Sequence, residues 1–493
     1  MPASEFASVA LYLTAFALLL VASVLLSGVS ERTGIPLVLL FLTVGVLAGR
    51  QGLGHIAFTN YRLAFAAGTA ALVLILFDGG LNTPLPRVRE AMRPAVVLAT
   101  VGVLMTTGLV AACARLFGFS WTQAFLEGAI VSSTDAAMVF SVLRGSGLQL
   151  KKRVATVLEL ESGLNDPMAV ALTVAFTQSL IQQRGVTLYV LAAIPVSLLI
   201  GALFGIAIGY GGRLLLQSIA PPVGGLFPVL TLALALLAYG LPTLIGGSGF
   251  LSVYVAAVVL GNGPIPYRAG IARVHDSVAW FCQISMFLLL GLLALPSQLL
   301  PAAPAGVGIA LFLALVARPL SVLLCLFPFR YAMTEIAYVG WVGLRGAVPI
   351  VLAIYPALER APGAAAVFNL VFFVVVVNAL VPGATVRWVT RRLGLRSEAP
   401  LPPSAVMEIT STRLLGGGEV RSFPISASSA ACGAQISELP FPSDSAVILV
   451  LRGHELIAPR GSTRLLAGDH VYLLVRPEDE SLLYLIFGRP ESE

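Results

Sequence analysis

Glu161-Ser162-Gly163-Leu164-Asn165-Asp166-Pro167 stands in the middle of an otherwise apolar run, residues 154–180. Such a run has the length of a membrane-spanning helix, which needs about 20 mostly apolar residues. Residues four apart share a helix face, so Glu161 lines up with Asn165, and Ser162 with Asp166 on the neighbouring face. Two carboxylates, an amide and a hydroxyl therefore form one polar stripe. A charge at mid-bilayer costs about 2.5–3.5 kcal/mol on insertion scales, which is too much for a seam that only holds helices together. Oxygen ligands of these types suit a hard monovalent cation. Pro167 brings no N–H to the preceding turn and so frees a carbonyl near Gly163.

Outward from this stretch, the same length rule marks twelve more spans: 6–27, 35–50, 63–81, 94–116, 121–143, 187–215, 224–246, 248–262, 276–296, 303–328, 333–355 and 364–392. The expected fold is a polytopic α-helical membrane protein of about 13 transmembrane helices. The second and ninth spans are short, and the last carries Pro382-Gly383, a site for a bend. The chain is 58% hydrophobic and 11% charged, with a mean hydropathy of +0.93. Soluble domains carry roughly 25% charged residues, so a soluble fold is excluded. The net charge of +6 does not point to nucleic acid, because the basic residues sit in short clusters between apolar runs.

With the N-terminus outside, the inner loops hold Arg32, Arg87, Arg89, Arg93, Arg144, Lys151, Lys152, Arg153, Arg213, Arg268, Arg273 and Arg330. Arg387, Arg391, Arg392 and Arg396 follow at the end of the last span. The outer loops hold only Arg50, Arg62, Arg115, Arg184 and Arg360, a bias of about three to one that puts the C-terminus in the cytoplasm. An odd number of spans agrees with that orientation. Met1–Ser8 lacks a positive n-region, and the apolar run after it is too long for a signal peptide, so it reads as an uncleaved first span. Cys113, Cys282, Cys325 and Cys432 have neither metal-like nor disulfide-like spacing and read as small buried hydrophobes.

Spans two and nine are both short, begin at Gly and end at Gly. Pairing them also pairs span five with span twelve and gives two repeats of opposite topology. Inverted repeats characterise secondary transporters, whose substrate site lies at the repeat interface. Span five carries Ser132-Ser133-Thr134-Asp135 at its centre. Such residues compete with the helix for backbone hydrogen bonds, so the helix is expected to unwind at Thr134-Asp135, with Asp135 capping the half-helix that follows. Span twelve carries Gly343-Leu344-Arg345-Gly346-Ala347-Val348-Pro349. An Arg between glycines in an apolar run needs a carboxylate, and Glu161 is the expected partner. That pair would be structural and would leave Asp166 to titrate. Asp78, at the cytoplasmic end of span three, reads either as a further ligand or funnel residue or as a capping residue. Glu127, near the outer end of span five, and Glu159, which reads as a partner for Arg153, are weaker candidates.

The physical scheme is competition. Asp166 holds a cation or a proton but not both, so the two fluxes are coupled, and alternating access exposes the site to one side at a time. With Glu161 neutralised, one-for-one electroneutral exchange is expected.

After Arg396 the composition changes. Ser397–Ser404 is a Pro-rich linker, and 405–493 is polar and strand-like: 446–451, a turn at Arg452-Gly453-His454, 455–458, and 470–475 after Gly468-Asp469. A small α+β domain on the cytoplasmic side is expected.

The combination of Ser133-Thr134-Asp135, Glu161 to Pro167 and Gly343-Leu344-Arg345-Gly346, in that order over roughly 10–392, resembles the NhaP-type branch of the monovalent cation–proton antiporters. The resemblance implies a thirteen-helix inverted-repeat fold with discontinuous crossing helices, a homodimer, and an elevator-like motion of a core domain. It also implies that an Asn-Asp pair goes with electroneutral exchange. Residue by residue, Asp166 would be the carboxylate for ion and proton. Ser162 and Thr134 would be metal-ion ligands, Thr134 partly through its backbone. Asn165 and Asp135 would order the crossing helices, Glu161 would pair with Arg345, and Asp78 is similar to an acidic position that can contribute to the site. The tail resembles the TrkA-C domain at Leu439-Pro440, Val447 to Arg452, Pro459-Arg460-Gly461 and Gly468 to Val471. An NhaP-type core with such a tail is similar to the potassium/proton antiporter subgroup. The implied localisation is the cell inner (cytoplasmic) membrane, with K⁺ or Na⁺ and H⁺ as the transported ions and no cofactor. A small-molecule or nucleotide regulator is expected at the tail, although it has no glycine-rich nucleotide fingerprint.

Three rival readings compete with this one. A cation channel gated by the tail needs a carbonyl-lined filter loop, and none is visible. An enzyme needs a nucleophile or His-Glu-x-x-His motif, whereas His55, His275, His454 and His470 are scattered. A transporter of organic solutes needs an aromatic lining that the Asp166 stretch lacks.

Overall fold

In hydrocarbon a backbone must satisfy its own hydrogen bonds, and the apolar runs do so as helices. The computed structural model describes residues 2–33, 36–144, 146, 148–183, 188–219, 221, 223–397, 419–426, 429–442, 445–453, 455–475 and 479–488. They fall into two units, Met1–Ser397 and Glu398–Glu493.

The first unit begins with α1 (Pro2–Thr33), α2 (Leu37–Ala48), α3 (Tyr61–Leu81), α4 (Leu85–Val97), α5 (Val103–Leu116), α6 (Trp121–Ile130), α7 (Ala136–Arg144), α8 (Lys152–Gln182) and α9 (Leu188–Ser218). It continues with α10 (Leu226–Leu244), α11 (Gly249–Gly261), α12 (Arg268–Leu293), α13 (Pro296–Phe312), α14 (Arg318–Leu326), α15 (Met333–Trp341), α16 (Ala347–Leu358), α17 (Ala364–Asn378) and α18 (Ala384–Arg392). Single π-helical turns join α4 to α5 (Leu98–Gly102), α13 to α14 (Leu313–Ala317) and α17 to α18 (Ala379–Gly383). Among the described residues, eight helices are long and apolar enough to cross a membrane, and Leu37–Ala48, Gly249–Gly261 and Val348–Leu358 are shorter apolar ones. Leu11, Leu25, Leu203, Leu214 and Leu244 stand exposed on α1, α9 and α10, an apolar surface suited to lipid rather than water.

The two short helices and the two interrupted ones recur in the same order. The interval from α2 to α11 (37 to 249) equals that from α6 to α15 (121 to 333). Each interrupted helix has a five-residue gap, 131–135 and 342–346. The short helices pack closely. A Cβ on Gly45 of α2 would stand 2.9 Å from the Cα of Gly291 on α12, so only glycine lets these backbones touch.

The second unit holds β1 (Glu419–Pro424), β2 (Ala446–Arg452), β3 (Glu455–Ile457), β4 (Asp469–Val475) and α19 (Glu480–Phe487). The antiparallel sheet runs β1-β4-β2-β3, with Phe423 opposite Val471 and Val450 opposite Ile457. Phe423, Val450, Val471 and Leu473 close a core with Leu483 and Phe487 of α19. Arg452 donates to both oxygens of the buried Asp469, at 2.8 and 2.9 Å, and this bonding holds the guanidinium above its ordinary pKa. The expected strands are present, and β1 and α19 complete an α+β unit. The expected linker beyond Ser397 and the turn residue His454 lie outside the described residues.

Candidate functional site

The first interruption is built from hydroxyls. Ser132 Oγ turns back to the Ala129 carbonyl at 2.7 Å, and α6 stops at Ile130. After the gap, Asp135 Oδ1 accepts from Met138 N at 3.1 Å and caps α7. The second interruption, Val342–Gly346, crosses the first at backbone level: Asp135 N donates to Leu344 O at 2.9 Å. Gly346 lies against the Asp135 carboxylate so closely that a Cβ there would collide with it. One carboxylate thus serves the positive, N-terminal ends of both α7 and α16.

α8 threads this crossing. Ser162 Oγ accepts from Ala136 N at 3.2 Å and donates to Thr134 O at 2.9 Å, so one hydroxyl spans the gap. Asn165 Nδ2 donates to Thr134 Oγ1 at 2.7 Å. The structure therefore brings Ser162, Asn165, Thr134 and Asp135 together at the turn of α8 that carries Asp166. Asp166 is 3% exposed, and its Oδ1 has no hydrogen-bond partner. Asn165 Oδ1 and Ser133 Oγ are likewise buried and unpartnered, and Asp135 lies within electrostatic reach of Asp166. An ionised carboxylate buried in this way needs a proton or a cation to complete it.

The expected pair of Glu161 with Arg345 is not what the structure shows. Glu161 takes both arms of Arg318, at 2.5 and 2.8 Å, and both residues are buried. Arg345 is fully buried and donates instead to the carbonyls of Ser133 at 2.8 Å and Ser132 at 3.3 Å. The reason is local. The gap in α6–α7 releases the carbonyls of Ser132 and Ser133, and Arg345 in the crossing partner reaches both. Arg318 follows directly on the π-turn Leu313–Ala317, which places it beside α8. It also reaches Val339 O, near the end of α15, at 3.5 Å. Each half-helix α6 and α15 thus has an arginine at its negative, C-terminal end. Sequence reasoning missed Arg318, although an Arg ahead of Pro319 inside an apolar run is the same cue that exposed Arg345.

Asp78 ends α3 and is partly exposed. Its Oδ1 accepts from Asn82 Nδ2 at 3.2 Å, and the same amide donates to Asp78 O at 3.0 Å, so Asn82 caps the helix and the carboxylate does not. Glu127 is buried on α6, and neither of its oxygens has a partner. Arg153 reaches Glu335 at 3.6 Å and lies 3.9 Å from the Tyr331 ring.

A family profile described as sodium/hydrogen exchanger, transmembrane, matches residues 17–392, and one described as TrkA-C domain matches residues 420–488. The chain is similar to the K(+)/H(+) antiporter NhaP of Alkalimonas amylolytica, 41% identical over 463 residues, 93% of this chain and 80% of that one. It is equally similar, at 41% over 487 residues, to the K(+)/H(+) antiporter NhaP2 of Shewanella oneidensis, covering 97% of this chain and 83% of that one. The Na(+)/H(+) antiporter NhaS2 of Synechocystis is 27% identical over 353 residues, 68% of this chain and 63% of that one. Among solved structures, the sodium proton antiporter MjNhaP1 of Methanocaldococcus jannaschii at pH 8 superposes with a TM-score of 0.63 at 23% identity, over 75% of this chain and 99% of that one. That likeness is one of fold.

Proposed function

This chain belongs to the sodium/hydrogen exchanger family, and from that premise we propose that it exchanges a monovalent cation for protons, with Asp166 as the carboxylate that carries each in turn. The observation that carries the reading is the buried, unpartnered Oδ1 of Asp166 beside the Thr134–Ser162–Asn165 cluster. A cation at Asp166 would find further oxygens in Asn165 Oδ1, Ser162 and Thr134. A proton bound at Asp166 removes the charge that attracts the cation, so occupancy by one expels the other. Asp135, Arg345 and the Glu161–Arg318 pair do not change occupancy in this scheme. They hold the crossing in shape, which leaves one exchangeable charge and electroneutral turnover. Asp78 serves as a funnel residue toward the site.

Potassium is the favoured cation, because the relatives at 41% identity are named K(+)/H(+) antiporters. With each interrupted helix and each pair joined by a π-turn counted as one crossing, α1–α18 make thirteen crossings, with the N-terminus outside and the C-terminal end inside the cytoplasmic membrane. Residues 1–396 form the transporting domain, 397–404 the linker and 405–493 the regulatory domain. That domain takes a small-molecule or nucleotide regulator, and the assembly is a homodimer. Purified protein in liposomes should acidify or alkalinise the lumen when K⁺ or Na⁺ is added on one side, without steady current. Sustained current would rule out one-for-one exchange, and loss of proton counter-flow would turn the reading toward a channel.

A further inference from the structure

The polar stripe of α8 does not end at Asp166. At roughly 100° per residue, Ser162, Asp166, Thr173 and Thr177 fall within an arc of roughly 60° on one helix face. Thr173 and Thr177 are both 0% exposed, and neither hydroxyl has a hydrogen-bond partner. Thr69 and Thr107 are likewise buried with an unpartnered hydroxyl, but Thr173 and Thr177 are the pair that shares a helix face with Asp166. Thr43, Thr100, Thr156, Thr385 and Thr390 each return their hydroxyl to the carbonyl four residues earlier, at 2.7–2.8 Å. Such back-bonding is the ordinary way to satisfy a hydroxyl inside a membrane helix. Thr173 and Thr177 do not use it, so two buried hydroxyls are left without compensation on the face that bears Asp166.

The neighbours of α8 say where that face points. Met168 and Leu172 share an apolar cluster with Ala129 of α6, Val103 of α5 and Ile194 of α9, and Phe176 stacks on Phe125 of α6 at 5.4 Å. Gly163 abuts the Tyr254 ring of α11. By helical position, Asp166, Thr173 and Thr177 lie between these two faces, toward the seam that separates α6 from α11. Thr173 lies ~10 Å and Thr177 ~16 Å beyond Asp166 along the axis, at 1.5 Å per residue.

We propose that Thr173 and Thr177 form a ladder of hydroxyl oxygens offered to a partly hydrated alkali cation as it passes between Asp166 and the C-terminal end of α8. This rests on Asp166 as the exchanging carboxylate and adds the route by which one side of the membrane reaches it. A hydroxyl offers an alkali cation an oxygen without fixing it by charge, so the ion moves on. In the present conformation the ladder is closed, since both hydroxyls and Asp166 are buried. It opens when the seam does.

The test uses the full chain in sided liposomes, with K⁺ as the ion added and Na⁺ in a parallel series. In the double variant Thr173→Val/Thr177→Val, the KM for the cation should rise about tenfold from the side at the C-terminal end of α8, the size of effect expected when a ligand oxygen is removed. From the opposite side it should change less than about twofold. The double variant Thr173→Ser/Thr177→Ser, which keeps both hydroxyls, should stay close to wild type from either side. An unchanged KM from both sides, or an equal rise from both, overturns the ladder. Asp166→Asn is measured alongside: if it still exchanges, the carboxylate reading itself falls, whereas an inactive Asp166→Asn beside an unaltered Thr double variant removes only the ladder.

Discussion

The two interrupted helices share an architecture and divide the chemistry. The gap between α6 and α7 is Val131-Ser132-Ser133-Thr134-Asp135, rich in side-chain oxygen, and it engages Ser162 and Asn165 of α8. The gap between α15 and α16 is Val342-Gly343-Leu344-Arg345-Gly346, which has no side-chain oxygen at all. What it supplies to the first gap is a cation, Arg345, and a glycine that makes room for Asp135. The comparison teaches that one gap carries the side-chain oxygens proposed as ligands, together with the Asp135 carboxylate that serves the N-terminal helix ends, and the other carries the cation for the exposed C-terminal end of α6. Arg318 does for α15 what Arg345 does for α6, and also neutralises Glu161.

The largest expected effect comes from breaking the buried pair. Arg318→Met strands the Glu161 carboxylate, and such a loss costs about 3–5 kcal/mol. It should appear as a large fall in Tm in detergent, partly recovered by adding Glu161→Leu, because two apolar side chains leave no stranded charge. If Arg345→Met rather than Arg318→Met were the variant rescued by Glu161→Leu, the division between the two gaps would be wrong. A smaller effect is expected from Gly346→Ala, whose Cβ must displace the Asp135 carboxylate from the crossing, at about 1–3 kcal/mol. Exchange rate and Tm should fall together. If Gly346→Ala were silent, the close approach of the two gaps would not matter. The smallest is Thr134→Val, which removes the acceptor of the Asn165 amide at a cost of about 1 kcal/mol. Thr134→Ser should keep the cation KM, and Thr134→Val should raise it. Equal behaviour of the two would show that Thr134 acts through its backbone carbonyl alone.

Much of this was legible in the sequence, because a polar residue in a long apolar run is conspicuous. Glu161 to Pro167, Thr134-Asp135 and Gly343 to Gly346 announced the crossing, and the short runs now seen as α2 and α11 announced the repeat. What was not legible is angular. Whether Glu161 meets Arg345 or Arg318 depends on how α8, α14 and the second gap are rotated about one another, and no periodicity encodes that. The π-turn Leu313–Ala317, which rotates Arg318 into place, has no apolar signature of its own. The carbonyls of Ser132 and Ser133 that claim Arg345 exist as acceptors only once the helix has broken. Asp78 stayed ambiguous for a simpler reason: the partner that holds its carboxylate, Asn82, is a contact within the fold that the sequence does not announce.

The central claim is that Asp166 exchanges a proton for a cation. The direct measurement is proton release on adding K⁺ or Na⁺ to the detergent-solubilised protein in weak buffer, for the native chain and for Asp166→Asn of equal Tm. The account predicts release of about one proton per chain from the native protein and none from the variant. Undiminished release from Asp166→Asn would contradict it.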